Sequence, residues 1–314
     1  NDADAANFGK DVPGFNIPKA LKHIFAQGFG TVLVVNTFDL LTNTAQVTDE
    51  VKAVSGGKAK LGFAPLNTVT IKTAGDVPVT WVLNTDYTID SFGNFQALTT
   101  NVTDGSYKFT YKKLDTATVT TAQLIGTVDG GTEARTGMKC FALAKNLFGF
   151  TPKLILAPGY SSTAAIATEM IVQANLFRAI ALIDAAFGKT VAGAIADRGV
   201  PGSSNFSTAS ERALLLYPHL KAFDEATDGN LDSPYSSFMA GVIAATDNND
   251  GYWFSPDNRE IKGIVGAERN ITAGVSDAGS QANLLNEKGI TTIFNSFGTG
   301  IRTWGSRSAA FPTF

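Results

Sequence analysis

Apolar and polar positions along this chain fall into distinct textures. Residues 19–25 place their apolar side chains at helical spacing behind Pro18, and Gly28 and Gly30 stop the run. Residues 31–36, Thr-Val-Leu-Val-Val-Asn, form a continuous β-branched run that reads as a strand buried within an α/β sheet. From about residue 46 to 122 the pattern becomes alternation, as in 67–73, 79–83 and 107–112, with turn residues at 74–76, 93–94 and 104–105. Short strands at that spacing predict a small all-β sandwich or barrel. Beyond it the periods of strand and helix take turns. A helix is predicted over 136–147, a strand over 152–158, a helix over 162–177 and a strand over 179–184. Residues 210–223 and 235–246 carry helical spacing, 283–290 a short helix ended by Gly289, and 291–295 and 300–304 read as late strands. The expected architecture is a layered α/β core over 1–45 and 123–314, with an inserted β-rich domain over 46–122.

Composition narrows the class. Of 314 residues, 44% are hydrophobic and 17% charged, enough for a real core and too apolar for a disordered chain. The net charge of -3 and pI near 5.5 give no basic excess to neutralise phosphates, which argues against nucleic acid as a partner. No Lys/Arg block addresses an anionic membrane, and no apolar run approaches the ~20 residues of a spanning helix, so no direct membrane insertion is expected. The chain opens on Asn1 without Met or signal peptide and ends at Phe314, which reads as part of a longer protein. Its one cysteine, Cys140, lies in the apolar stretch 138–143 and reads as a small buried residue; it has no partner for an intrachain disulfide.

Candidate chemistry is sparse. His23 and His219 are the only histidines, and neither has Cys, His or carboxylate neighbours at metal-ligand spacing. Both are read as structural or solvated. Gly159-Tyr-Ser-Ser-Thr163 and Gly274-Val-Ser-Asp-Ala278 lack the second glycine of a nucleophile elbow. Gly188-Lys189-Thr190 resembles the end of a phosphate loop, but Ile183 stands where its first glycine belongs. Residues 247–251, Asp-Asn-Asn-Asp-Gly, resemble the start of a calcium loop with the glycine one place early and Asn258 at the twelfth position; an Asn/Asp-rich turn explains them. No catalytic, cofactor-binding or metal residue is assigned, and no cofactor is expected.

The second half carries a series of phrases in order. They are Pro152-Lys-Leu-Ile-Leu-Ala-Pro158-Gly; Phe177-Arg-Ala-Ile-Ala-Leu-Ile-Asp184; Arg212-Ala-Leu-Leu-Leu-Tyr-Pro-His-Leu220; Ser233-Pro234 through Ala240-Gly241 to Asp247; Gly251-Tyr-Trp253; Pro256-Asp-Asn258; Asn286-Glu-Lys-Gly289; and Trp304-Gly305-Ser-Arg307. Together they resemble the contractile tail sheath family of phages, R-type bacteriocins and related contractile injection systems. The likeness covers 136–307 well and 17–35 loosely. It implies a core similar to a subtilisin-like α/β layer without the protease triad, and it revises the second part of the 210–223 helix to a strand ending at Tyr217-Pro218. In that setting Gly241 would let a helix pack close to the sheet, Trp253 and Trp304 would anchor the core, and Pro234 and Pro256 would fix turns. Arg259, Glu260, Glu268 and Arg269 read as a charged cluster near the 256–258 turn, either a solvated face or subunit contacts.

The resemblance implies a structural role and no enzyme activity. Sheath subunits polymerise helically around an inner tail tube and contract to drive it through a cell envelope. The implied partners are other sheath subunits, the inner tube, the baseplate and the tail terminator, in a virion tail assembled in the bacterial host cytoplasm. Relative to the family the chain lacks both terminal arms, which link neighbours by strand addition. Two other classes remain open on residues alone. One is a carboxylate-dependent hydrolase. The other is a carbohydrate-binding or adhesin module that uses Trp81, Tyr87 and Tyr107 of the β-rich segment.

Overall fold

The computed structural model describes residues 5–9, 12, 14–90, 92–199, 202–225 and 227–312. The chain divides into two compact units, 38–120 and 1–37 with 121–314.

The 38–120 unit contains β1 (Thr44–Val54), β2 (Lys58–Lys60), β3 (Thr70–Thr73), β4 (Tyr87–Ile89), β5 (Asn94–Ala97) and β6 (Gly105–Leu114). They form two three-stranded antiparallel sheets, ordered β1-β6-β3 and β2-β5-β4. Alternation drives this arrangement: Tyr107, Phe109 and Tyr111 of β6 are buried and meet Ile71, Tyr87 and Phe95 in one aromatic core fed by both sheets. Trp81 lies over Tyr107 with ring centroids 4.8 Å apart. The aromatics expected to form an exposed binding row therefore fill the interior, with Tyr87 and Tyr107 both buried. Their large apolar area is more favourable inside than in water, and the short strands offer little else to bury.

In the other unit, β7 (Leu154–Leu156), β8 (Ile180–Asp184), β9 (Ala213–Leu216) and β13 (Ile290–Ser296) run parallel, and β14 (Gly300–Trp304) closes one edge antiparallel to β13. The order is β14-β13-β9-β8-β7. A second sheet sets β10 (Leu220–Asp224) between β11 (Gly229–Ser233) and β12 (Gly266–Ala267). The helices of this unit are α1 (Ile17–Phe25), α2 (Thr121–Ile125), α3 (Ala144–Phe148), α4 (Ala164–Phe177), α5 (Val191–Ala196), α6 (Tyr235–Asn249) and α7 (Gln281–Asn286). A 3₁₀ segment, Gly137–Leu143, leads into α3. None of the described helices is long and apolar enough to cross a membrane.

Period-2 alternation distributes the sheet's side chains. Leu182, Leu214, Leu216 and Ile293 join Tyr235, Phe238, Met239 and Val242 of α6 and Ile24 of α1 in the main core. The intervening Ala181, Ile183, Ala213 and Leu215 are also buried and point to the other face. Helix α6 is apolar around most of its circumference, as a helix enclosed by sheet and helix must be.

Four expectations are corrected. Residues 31–36 form no strand: the segment is extended and half-buried, with Val32 against the main core. β-Branching suits any extended, half-buried surface, so the composition alone does not place the segment in a ladder. The 210–223 segment is not a helix: 213–216 form β9, which stops at Tyr217-Pro218 as the family likeness implied, 220–223 lie in β10, and the Tyr217-Pro218 bond is cis. Cys140 is only half-buried, and its Sγ lies 3.2 Å from the Arg135 carbonyl oxygen. Gly241 faces a helix and not the sheet. A Cβ there would strike the Ile24 carbonyl oxygen and the Gln27 side chain, so the missing side chain is what lets α1 lie against α6. Gln27 is locked at that crossing by paired bonds with Lys262, each 2.9 Å. Gly241→Ala is expected to destabilise the unit by ~2 kcal/mol through overpacking, measurable as a lowered urea midpoint with unchanged slope.

Candidate functional site

A buried, multiply bonded polar site lies at the C-terminal end of β8. Asp184 ends an apolar strand and is fully enclosed. Its Oδ1 accepts the Ser236 backbone N–H at 2.7 Å; its Oδ2 accepts the hydroxyls of Ser236 at 2.6 Å and Ser161 at 3.1 Å. The Asp184 N–H donates back to Ser161 Oγ at 3.0 Å, and Asn205 Nδ2 donates to both the Asp184 and Ser161 carbonyls. Ser236 stands in the first turn of α6, where backbone N–H groups lack helical partners, so the carboxylate acts as a cap supplied from another element. Burial raises the Asp184 pKa, and the Ser236 bonds and the nearby His219 oppose that rise. His219 Nε2 lies 3.0 Å from the Ala185 carbonyl oxygen. Both serines spend their hydroxyls on the carboxylate, and none of the hydrogen bonds links either serine to a histidine. The arrangement lacks the nucleophile–base bond that covalent catalysis needs and works as a brace joining β8, α6 and the 161 and 205 loops. In the sequence Asp184 stands out only as the last residue of the predicted 179–184 strand and of a family phrase. The signal it passed over was an acid closing an otherwise apolar strand.

The 247–260 phrases form a second site. Asp250 pairs with Arg259 at 2.7 Å. Thr303 of β14 donates through Oγ1 to the Pro256 carbonyl at 2.6 Å, Gly305 N–H donates to Asp257 Oδ1 at 2.7 Å, and Arg302 Nε donates to Asn258 Oδ1 at 2.8 Å. Asn258 takes a positive φ of 56° to make this turn. The segment is thus strapped along the edge strand. Trp253 is not a core anchor: it is 71% exposed, and its indole lies so close over Gly251 (φ 108°) that a Cβ there would strike the ring. Tyr252 meets that ring edge-on at 5.1 Å. Asp247 is exposed at the end of α6, and no group of three or more potential metal ligands occurs among the described residues.

The 286–289 and 304–307 phrases interlock. Gly305 adopts φ 84° directly against the Asn286 amide, where a Cβ would overlap it, and Arg307 Nη1 donates to the Asn286 carbonyl at 3.2 Å. Gly289 lets the chain turn against the Ser308 carbonyl. Trp304 is half-buried and meets Phe294 edge-on at 5.0 Å. Pro152 and Pro158 bracket β7, with Asn16 donating to the Pro158 carbonyl, and Pro234 precedes the first turn of α6.

Arg259, Glu260, Glu268 and Arg269 do not form one cluster: the first two and the last two bond different segments. Glu260 is exposed and bridges β14 at Arg302, whereas Glu268 and Arg269 clamp the Gly188–Lys189 turn. That clamp borders an open cavity of about 470 Å³ with Thr190 and Gln281 on its walls.

The family described as phage tail sheath protein central domain matches residues 133–309, more than half of the chain. The chain is 39% identical over 320 residues to the tail sheath protein of Burkholderia phage BcepMu, covering 100% of this chain and 66% of that protein. It is 27% identical over 191 residues to the tail sheath protein of Escherichia phage P2, covering 61% of this chain and 46% of that protein. Among solved structures it is similar to a chain of the cryo-EM structure of an extracellular contractile injection system, the PVC sheath complex in the contracted state. That match has 26% identity and a TM-score of 0.41, over 55% of this chain and 44% of that one. The chain therefore spans between about half and two thirds of these curated relatives. With the central-domain match running unbroken from 133 to 309, the chain belongs to the phage tail sheath protein family.

Proposed function

We propose that this protein is the body of a contractile tail sheath subunit. It polymerises helically around an inner tail tube and contracts to drive that tube through a target envelope. The observation that carries the reading is the family match over 133–309 together with 39% identity along the whole chain to a phage tail sheath protein. The partners are further sheath subunits, the inner tube, the baseplate and the tail terminator, and the protein resides in a virion tail assembled in the bacterial host cytoplasm. The α/β unit is a subtilisin-like sheath core, and the 46–122 region is an inserted all-β domain.

The role needs no reaction at a site. A metastable extended lattice stores free energy in its subunit contacts and releases it as bodies move into a lower-energy array. Heterologous contacts that do not close into a ring generate such a lattice. This agrees with serine hydroxyls committed to a buried carboxylate, and the protein acts without enzyme activity or cofactor.

The test is negative-stain electron microscopy of the protein expressed with whatever sequence flanks it in its own gene, in the presence of its inner tube protein. Striated tubes wider than the bare inner tube are expected. Bare tubes beside dispersed subunits would overturn the proposal.

A further inference from the structure

Two exposed patches of opposite charge lie at opposite edges of the five-stranded sheet. The first is the aromatic strap beside β14. Tyr252 and Trp253 are 81% and 71% exposed, yet the ring packing on Gly251 and the bonds from β14 hold the segment in place. Residues 247–260 contain four acids, Asp247, Asp250, Asp257 and Glu260, against Arg259, which Asp250 neutralises, and Arg302 of β14, which bonds Asn258, so the segment keeps an acidic excess. The second patch lies on the β7 side of the sheet, at the C-terminal ends of α3 and α4. Leu147, Phe148 and Leu176 are 67%, 58% and 65% exposed, and Lys153, five residues after Phe148, donates to the carbonyl of Phe177, the neighbour of Leu176, at 3.0 Å. Residues 137–183 contain four bases, Lys139, Lys145, Lys153 and Arg178, against one acid, Glu169, which Lys139 neutralises.

Large exposed apolar groups that are held rigid are what contact centres are made of, because ordering them on binding costs little. Here the charges name the occupant. An acidic aromatic knob at one edge and a basic apolar face at the other are complementary to each other, and neither is complementary to itself.

We propose, resting on the sheath reading above, that the Tyr252–Trp253 knob of one subunit docks on the Phe148–Leu176 face of a second copy of this chain. The contact is heterologous: each docking leaves one knob and one face free, so it propagates instead of closing as a two-fold dimer. Two aromatic side chains supply roughly 300–400 Å² of an interface that usually buries about 800 Å² per partner. The contact is therefore the centre of a larger one and is weak alone. The acidic and basic rims make it sensitive to salt.

The experiment is sedimentation velocity of the 314-residue chain over a concentration series, at low and at high salt. Oligomers of graded size should appear with concentration and retreat in high salt. Trp253→Ala and Phe148→Asp should each weaken association at least ~10-fold, with Tyr252→Ala as a second knob variant. Far-UV circular dichroism checks that each variant is folded. An equal mixture of Trp253→Ala and Phe148→Asp should form one-to-one dimers and nothing larger, since one keeps only its face and the other only its knob. A wild-type chain that stays monomeric throughout, or variants that associate as the wild type does, would overturn the contact. In the second case the sheath reading stands and another surface builds the array. In the first, tube formation in the microscopy experiment still decides that reading.

Discussion

Asp184→Ala is expected to lower the unfolding free energy by ~4 kcal/mol, read from urea titrations of the wild-type and variant chains. Three donors converge on this one carboxylate: the Ser236 N–H and hydroxyl, and the Ser161 hydroxyl. Truncation leaves them buried without an acceptor, at about 1–3 kcal/mol for each group that cannot find another partner. The hydroxyls can rotate toward other acceptors; the Ser236 N–H, fixed in the first turn of α6, cannot. Asp184→Asn is the informative control. It keeps the shape and one acceptor oxygen and removes a charge that burial disfavours, since the Asp184 pKa is raised by desolvation. It should cost ~1–2 kcal/mol. If alanine cost no more than asparagine, the network would not be bracing the fold.

Lowering the pH from 7.5 to 4 is expected to remove ~3 kcal/mol of stability through His23 alone. The ring is buried in α1, stacked on Phe238 with centroids 4.1 Å apart, and its Nδ1 has no hydrogen-bond partner. Burial, then the neighbouring Lys22 and Lys19 ammonium groups, push its pKa down from 6.5 to about 4, against a smaller opposing pull from Asp224. The folded state thus holds the imidazole neutral while the unfolded chain takes up a proton below pH 6.5. The contribution is fully present above that value, falls as the pH drops toward 4, and levels off below. His23→Phe should flatten this part of the pH profile and raise stability at pH 5, because it keeps the stack and deletes the orphaned nitrogen. A profile equally steep in the variant would assign the acid sensitivity to other groups.

Much of the layout could be read before any coordinates. Strands 154–156 and 180–184 and helix 164–177 stand inside the segments expected for them, because apolar periodicity and bracketing Pro and Gly act within a few residues of chain. The alternation of 67–73 and 107–112 likewise resolves into antiparallel strands β3 and β6, whereas 79–83 lies outside the strands and turns Trp81 onto the aromatic core. The failures share another cause. Residues 31–36 have the composition of a strand and run extended outside the described ladders. Trp253 has the residue type of a core anchor and lies outside, because Gly251 and the bonds to β14 turn it toward solvent. Gly241 was legible as a close approach, but its partner, α1, lies more than 200 residues upstream. The Asp184 brace draws on residues 23 and 52 positions away and leaves no local pattern.

Local chain pattern therefore determined which segments become strand or helix and which faces are apolar, since those depend on backbone sterics and on side-chain spacing within one element. Tertiary structure alone decided which buried polar groups meet, which aromatic rings stay outside, and which charged surfaces end at opposite edges of the sheet. Those outcomes depend on packing between elements distant in sequence, where the desolvation of one group is offset only by a partner that the fold delivers.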